Sequence, residues 1–515
     1  WVAVGIPNRA AARGTLDDDL GLASLQLLCH QGGPNQLVMV PPLLPRARCF
    51  DLLAMASSSA MGIEKLQQIH AQMVVAGSLR RPNAAGELIG RYAGVSAPEG
   101  IDCARLVFRH HAEQDDVFAW NAMIRCSPPR EAILLYARRC GREVGGVGCA
   151  PVPDDRTLTF VLGACARSAA LREGMQVHAQ LVKTRPPASL GVAVLTTGVH
   201  FYGSLGDLNS ARNLFDEMPV RNCATWNALM SGYCLNGVAA ESVAVFRKML
   251  LEGSTKPTDR SMVVMLSACS QLGELALACS VHAHICKAFP FEDDAFIGTG
   301  LIDMYSKCGC LASALKAFEG TKEKNVLAWT AMMAGLALLS RGVEAIKMFD
   351  AMLSEGIWPN AVTFTCLLSA CCHSGLVDEG LQLFGMMSGR FGITPGIQHY
   401  GCVVDLLGRV GMVDDACSFL KTMPILPDAV LWRTLLAACK VHGHVRLGEE
   451  IGENLLRLEH GTGVPQGGVT TCEDFVALSN MYASDGRWED VWRLREAMKS
   501  VGIQNKPGSS AVQVI

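Results

Sequence analysis

A dominant charge is missing from this 515-residue sequence: 45 Lys and Arg stand against 48 Asp and Glu, a formal net charge of -3. That excludes a strongly basic nucleic-acid-binding tail, though not a basic stripe inside a neutral total. Charged residues are scarce at 18% and hydrophobic ones reach 50%, which excludes global disorder. Mean hydropathy is +0.24, yet a membrane-length apolar run is absent. The stretch that comes closest, Val326 to Ser340, has fifteen residues against the ~20 that a bilayer requires. The 21 cysteines contain no CxxC pair, which removes zinc-ribbon and thioredoxin chemistry. Odd in number and set in apolar strings such as LSACS and LLSACC, they read as small buried hydrophobes in a reducing compartment.

What is present is periodicity. Trp120, Trp226, Trp329 and Trp432 stand in similar strings at spacings of 106, 103 and 103. Ala164-Cys165, Ala268-Cys269 and Ala370-Cys371 recur at 104 and 102, and the VHA strings at Val177 and Val281 at 104. Such self-similarity decides the fold before any local reading. Each super-repeat divides into three, because the turn positions Gly206, Gly237, Gly273, Gly309, Ser340, Gly375 and Gly411 lie 31, 36, 36, 31, 35 and 36 apart. After Gly309, the residues Leu311, Ala314, Leu315 and Phe318 fall on one helical face. Each unit therefore reads as helix, turn, helix. One hairpin cannot bury its apolar face alone and a stack can, so the expected fold is all-α, an α-solenoid without a sheet.

Units of 31, 35 and 36 in rotation resemble the plant pentatricopeptide repeat proteins of the PLS class. The residues that carry this are GLIDMYSKCGCLASALKAF (300–318), VLAWTAMMAGLALLSRGVEAIKMFDAMLSEGIWPN (326–360) and VTFTCLLSACCHSGLVDEGLQLF (362–384). Residues 397–428 resemble the last short repeat, and 429–459 and 473–514 the two motifs of the C-terminal E-type extension. The resemblance implies a right-handed superhelix whose first helices line a groove. Its repeat array is 55–428, in units of about 55–81, 82–116, 117–154, 155–191, 192–222, 223–258, 259–294, 295–325, 326–360, 361–396 and 397–428, followed by the extension at 429–515. Residues 1–54 show no repeat pattern. The loop GREVGGVGCAPVP and the stretch 461–472 interrupt the pattern. The chain starts at Trp1, and MASSSAMG from Met55 resembles a translation start.

Helical repeats of this kind read one RNA base each with two or three side chains. The resemblance assigns this to the fifth residue of the first helix and the last residue of the repeat. A final Asp offers only acceptors and suits U or G, while a final Asn can donate to the bare ring nitrogen of A or C. Asn121 and Asp154 then form the pair for U. Thr196 with Asn222, Thr299 with Asn325 and Thr330 with Asn360 form pairs for A. Asn227 with Thr258 is an off-code pair read as pyrimidine. Gly401 with Asp428 and Gly86 with Asp116 inform weakly, and the long-repeat pairs Thr159/Gly191, Val263/Asp294 and Thr365/Gly396 fit the scheme poorly. Lys307 and Arg409 occupy equivalent turn positions where a cation could meet phosphate. The recurring Trp and the histidines His178 and His282 are expected in structural roles.

No catalytic residue, cofactor or metal is expected. The HxE string His111-Ala112-Glu113 lacks the CxxC that a zinc deaminase needs, and the chain stops at Ile515, where a deaminase domain follows in many relatives. The resemblance thus implies a specificity factor for organellar C-to-U editing. It would bind single-stranded RNA and recruit a DYW-type cytidine deaminase in trans, with no membrane association. An RNA stability, processing or splicing factor and a tetratricopeptide-like protein scaffold are the alternatives. Relatives act in mitochondria or chloroplasts. Arg9, Arg13, Arg46 and Arg48 would suit a transit peptide, but Asp17, Asp18 and Asp19 would not.

Overall fold

The computed structural model describes residues 62–500, apart from position 82 and the stretches 96–97, 113–115, 142–152, 186–189, 289–294 and 461–471. The N-terminal segment 1–54, most of the loop after Gly141, Glu113, Asp294, the interruption at 461–471 and the end of the second extension motif lie outside the described residues. Within them are 25 α-helices and no strand. None of these helices is long and apolar enough to cross a membrane. The division between two compact units falls between Pro257 and Thr258.

In the first unit, α1 (Ile63–Val75) precedes five helix pairs: α2 (Ala84–Ala93) with α3 (Pro98–Val107), α4 (Val117–Cys126) with α5 (Pro129–Gly141), α6 (Asp155–Arg167) with α7 (Leu171–Thr184), α8 (Val192–Ser204) with α9 (Leu208–Glu217), and α10 (Cys223–Leu235) with α11 (Ala239–Glu252). The second unit continues with α12 (Asp259–Leu272) and α13 (Leu275–Ala288), α14 (Ala295–Lys307) and α15 (Leu311–Gly320), α16 (Val326–Leu338) and α17 (Gly342–Ser354), α18 (Ala361–Ser374) and α19 (Val377–Gly389), α20 (Ile397–Val410) and α21 (Val413–Lys421), α22 (Ala429–His442) and α23 (Val445–His460), α24 (Cys472–Ser484) and α25 (Trp488–Ser500).

Inside each unit the first helices of successive pairs pack on one another, α2 through α10 and α12 through α24, while each second helix lies against its own first helix and the next. This explains the charge-free run at Val326. Helix α16 sits between α14, α17 and α18 and buries Trp329, Met332, Met333, Leu336 and four smaller residues, so it is apolar nearly all round. A second helix such as α9 buries only Ala211, Leu214 and Phe215 and keeps charges outside.

The hairpin turns follow from backbone sterics. All seven turn positions identified by spacing have positive φ, from 54° at Ser340 to 91° at Gly411. This is the left-handed region, which glycine enters without a Cβ penalty. Close packing of first helices calls on glycine once more. A Cβ on Gly203 of α8 would stand 3.0 Å from the Cα of Gly232 on α10. The recurring tryptophans are core residues: Trp120, Trp226 and Trp329 are buried, each meeting a phenylalanine edge-on at 4.8 Å, Phe108, Phe215 and Phe318 in turn. The indole N–H groups of Trp226 and Trp329 are buried without a hydrogen-bond partner, leaving no ring face for a base. Trp432 is half-buried. The histidines are structural as well. His70, His178 and His282 on α1, α7 and α13 each share a hydrogen bond with a tyrosine of the next first helix, Tyr92 at 3.2 Å, Tyr202 at 2.8 Å and Tyr305 at 2.8 Å. Burial lowers the His178 and His282 pKa values below the ordinary 6.5, partly opposed at His178 by Glu217.

Candidate nucleic-acid interface

The last residue of a repeat is the N-cap of the next first helix. Asp116, Asp154, Asn222, Asn325, Asn360 and Asp428 all accept backbone N–H groups with a side-chain oxygen at that position. The role is obligatory for the helix, whose first amides have no intrahelical partner. It also fixes which atom faces outward. An amide whose Oδ1 is turned into the helix presents its NH2.

In repeat 326–360, Asn360 Oδ1 accepts the Thr363 N–H at 3.0 Å and the Thr363 hydroxyl at 3.1 Å, and the Asn360 N–H donates to Thr363 Oγ at 3.2 Å, a complete capping box. Thr363 Oγ also lies 3.1 Å from Thr330 Oγ, whose hydroxyl is 2.7 Å from the Val326 carbonyl. Repeat 192–222 repeats the arrangement. Asn222 Oδ1 accepts from Thr225 N–H at 2.9 Å and Thr225 Oγ at 3.0 Å, and Thr225 Oγ is 2.8 Å from Thr196 Oγ. In repeat 117–154 the two residues expected as readers touch. Asn121 Nδ2 donates to Asp154 Oδ1 and Oδ2 at 2.9 and 3.1 Å, and Thr157 Oγ lies 2.5 Å from Asn121 Oδ1 and 2.7 Å from Asp154 Oδ1. Burial pushes the Asp154 carboxyl upward. Hydrogen bonds from Thr157 and Asn121, with the charge of Arg139, outweigh it and hold the pKa below the ordinary carboxylate value.

Repeat 295–325 lacks this tie. Asn325 Oδ1 accepts from Leu327 N–H at 3.0 Å and Ala328 N–H at 3.1 Å, but Ala328 stands where the threonines do, and the Thr299 hydroxyl donates to the Ala295 carbonyl at 2.7 Å. The residues of the off-code pair are separate observations in the two units. Asn227 Nδ2 lies 3.6 Å from Cys223 Sγ with its Oδ1 buried and unpartnered, and the Thr258 N–H donates to Ser261 Oγ at 3.0 Å.

The weaker positions differ in kind. Gly86 has no room for a side chain, since a Cβ would fall 2.3 Å from Phe118 Cδ1. Gly401 does have room, and Asp428 accepts Leu431 N–H at 2.9 Å. In the long repeats, Thr159 donates to the Asp155 carbonyl and the Gly191 N–H to the Asp155 carboxylate. The Gly396 N–H donates to His399 Nδ1, while His399 Nε2 lies 3.2 Å from Thr365 Oγ. Val263 is half-buried on α12. Lys307 and Arg409 are both engaged in ion pairs one helical turn back, with Asp303 and Asp405 at 2.9 Å.

Two features escape a reading of the reader positions alone. The first is the threonine three residues into the next helix, signalled in sequence only as half of a capping box. The second is the residue three before each reader, on the same helical face. Phe296, Leu327 and Val362 stand there before Thr299, Thr330 and Thr365, 68%, 45% and 59% exposed although large and apolar, while Phe118, Ala193 and Ala224 precede Asn121, Thr196 and Asn227; Val430 holds the same place on α22, 62% exposed. A cleft of about 880 Å³ on the first-helix face of α18, α20 and α22 brings Gly401, Asp428, Asp405, Arg409 and Val430 together.

Comparisons with known proteins bear on the repeat architecture. The pentatricopeptide repeat family matches at residues 199–223, 224–254, 299–326, 362–390 and 399–425, a second repeat family at 324–373, and the E motif at 470–513. A pentatricopeptide repeat-containing protein of Arabidopsis thaliana, At3g18970, is 43% identical over 481 residues, covering 91% of this chain and 99% of its own. Another from the same plant, At1g59720, named as chloroplastic/mitochondrial, is 37% identical over 78% of this chain and 63% of its own. Among solved structures, the pentatricopeptide repeat protein PPR10 in complex with an 18-nt psaJ RNA element superposes with a TM-score of 0.62 at 18% identity, over 93% of this chain and 71% of that one. The matched models are those of repeats and of an extension motif. The chain belongs to the pentatricopeptide repeat family, with the E motif of its E subgroup.

Proposed function

We propose that this chain is a sequence-specific single-stranded RNA-binding protein of the PLS class that specifies a site of organellar C-to-U editing, with a DYW-type deaminase supplied in trans. The observation that carries the RNA reading is the N-cap geometry. Asn222, Asn325 and Asn360 turn Oδ1 into the helix and are left with an NH2 donor, whereas Asp154 has only acceptors. Adenine offers a bare N1 to a donor, and uracil offers an N–H to an acceptor. The apolar residues Leu327, Val362 and Val430 would flank the bases, as stacking surfaces do in single-strand binders. Lys307 and Arg409 would meet phosphate, since an exposed ion pair is worth at most about 1 kcal/mol and yields readily to a stronger anion.

The structure of PPR10 with RNA, together with relatives named chloroplastic or mitochondrial, supports RNA binding in an organelle. The E motif at 470–513 supports the editing role over a stability or splicing factor. Two experiments test the reading. Binding to a single-stranded RNA of the proposed sequence is compared with a scrambled one, where equal affinity contradicts it. Organellar transcripts of a null plant are then sequenced, where loss of editing at one cytidine supports the editing role and intact editing with altered transcript levels supports the alternative.

A further inference from the structure

The threonine at the third position of the following helix stands outside the two-residue reading scheme, yet it contacts both readers. The direction of its hydrogen bonds follows by elimination. Asn222 Oδ1 is an acceptor only, so the Thr225 hydroxyl, 3.0 Å away, must donate to it. That uses the one Thr225 hydroxyl hydrogen, so the 2.8 Å contact with Thr196 is a bond donated by Thr196. The hydrogen of Thr196 therefore points inward and its lone pairs are left for the groove. At the next such site the Thr363 hydroxyl donates to Asn360 Oδ1, and the Thr330 hydrogen is taken by Thr363 or by the Val326 carbonyl. The result is one polarity at both places: the fifth residue is an acceptor and the last residue a donor. Adenine presents the complement, an exocyclic amine beside a bare ring nitrogen, and guanine presents its reverse.

The site with Asp154 has the opposite polarity through the same residue type. The carboxylate accepts the Thr157 N–H and one hydrogen of Asn121 Nδ2, and the single Thr157 hydroxyl hydrogen is shared between Asn121 Oδ1 and Asp154 Oδ1, which leaves acceptors at Asp154 and the second amide hydrogen of Asn121. Uracil, with its ring N–H and neighbouring carbonyl, is the complement.

Resting on the base-reading role proposed above, we infer that Thr157, Thr225 and Thr363 are specificity-positioning residues. Each belongs to the repeat after the one it serves: Thr225 and Thr363 lock the hydrogen-bond polarity of both readers of the preceding repeat, and Thr157 fixes the orientation of the Asn121 amide beside Asp154. A flipped Asn360 amide would turn its NH2 against the Thr363 N–H and lose the hydroxyl bond, so the lock opposes the state that would accept guanine. Repeat 295–325, with Ala328 at this position, holds Asn325 by backbone amides alone and leaves it uncoupled from Thr299. It discriminates less sharply than 326–360 although the two carry the same Thr/Asn pair.

The test measures the affinity of the full chain for the proposed RNA with A or G at the base of repeat 326–360, and separately at that of 295–325. Variants are Thr363→Ala, Thr363→Ser and Ala328→Thr, with a melting curve for each. The expected result is an A-over-G ratio that falls roughly 2- to 12-fold in Thr363→Ala, the factor one neutral hydrogen bond is worth, and is restored in Thr363→Ser. Ala328→Thr should raise the ratio at the base of 295–325. Lost stability alone would weaken both probes equally. An unchanged ratio in Thr363→Ala and Ala328→Thr, with the wild type preferring A, overturns the positioning role and leaves the readers standing. A wild-type ratio near one overturns the readers and the positioning role together.

Discussion

The Nδ2 amide of Asn121 donates to both carboxylate oxygens of Asp154, so two residues 33 positions apart present one hydrogen-bonding surface. Because Asp154 also caps α6 through the Thr157 N–H at 2.7 Å, the pair is held by the helix start of the next repeat. On the proposed role, stability and recognition would share the same atoms. A substitution at a reader must therefore be judged on both.

Asn360→Asp keeps an oxygen for the Thr363 amide and hydroxyl and removes the outward donor. Preference at its base should move from A toward G by about 1–3 kcal/mol, in line with paired base readout in DNA, roughly a 5- to 150-fold change in ratio. Equilibrium binding to the two RNA probes measures it, and the melting temperature should stay near the wild type.

Val362→Ala and Leu327→Ala remove exposed apolar surface beside a reader without touching a hydrogen bond. Each should weaken RNA binding by about 1 kcal/mol, roughly 5-fold, equally for A and G probes. A change in the ratio without a change in affinity would speak against a flanking role.

Ser340 holds a φ of 54° where the other six turn positions marked by spacing are glycine; Ala169 holds the same φ at the turn between α6 and α7. Ser340→Gly should stabilise the protein by about 1 kcal/mol, the low end of the left-handed penalty for a residue with a Cβ, seen as a higher urea midpoint with unchanged slope.

His178 and His282 are held neutral by burial beside Tyr202 and Tyr305, with pKa values lowered in the folded state. The unfolded chain binds more protons between the lowered values and 6.5, so stability rises with pH across that window. The contribution is present above pH 6.5 and lost as pH falls through the folded values. A His178→Gln/His282→Gln variant should show a flatter decline in melting temperature from pH 7.5 to acid than the wild type.

Much of this architecture stands in the sequence because turns and caps are local. Gly309 and its equivalents mark the left-handed turn, and Asn325 or Asp428 marks the helix start, each by its own chemistry. The ion pairs of Lys307 and Arg409 could be read from Asp303 and Asp405 four residues earlier on the same face. The link from Thr225 back to Thr196 could not. The N-cap spacing identifies Thr225 as a partner of Asn222, but only the packing of α10 on α8 brings its hydroxyl to a residue 29 positions upstream. The same holds for His178, which spacing reveals as recurrent and only packing reveals as bonded to Tyr202.

We propose that the extension at 429–515 recruits the deaminase and contributes little to base choice, which truncation tests. Deleting 429–515 should leave RNA affinity within a few-fold of the full chain and abolish editing in a complemented null plant. Loss of RNA binding would place the extension within the RNA-reading surface instead.

The most direct measurement is selection of the full chain against a random single-stranded RNA pool, followed by sequencing of the bound fraction. With one base per repeat and the N-terminal repeats toward the 5′ end, the account predicts enrichment of 5′-U-n-A-Y-n-A-A-3′, where Y is a pyrimidine. U is set by Asn121 and Asp154, the first A by Thr196 and Asn222, Y by Asn227 and Thr258, and the last two by Thr299 with Asn325 and Thr330 with Asn360. In an edited transcript the target C would follow after five further bases. Enrichment without this spacing, or no enrichment at all, would contradict the assignment of these residues as base readers.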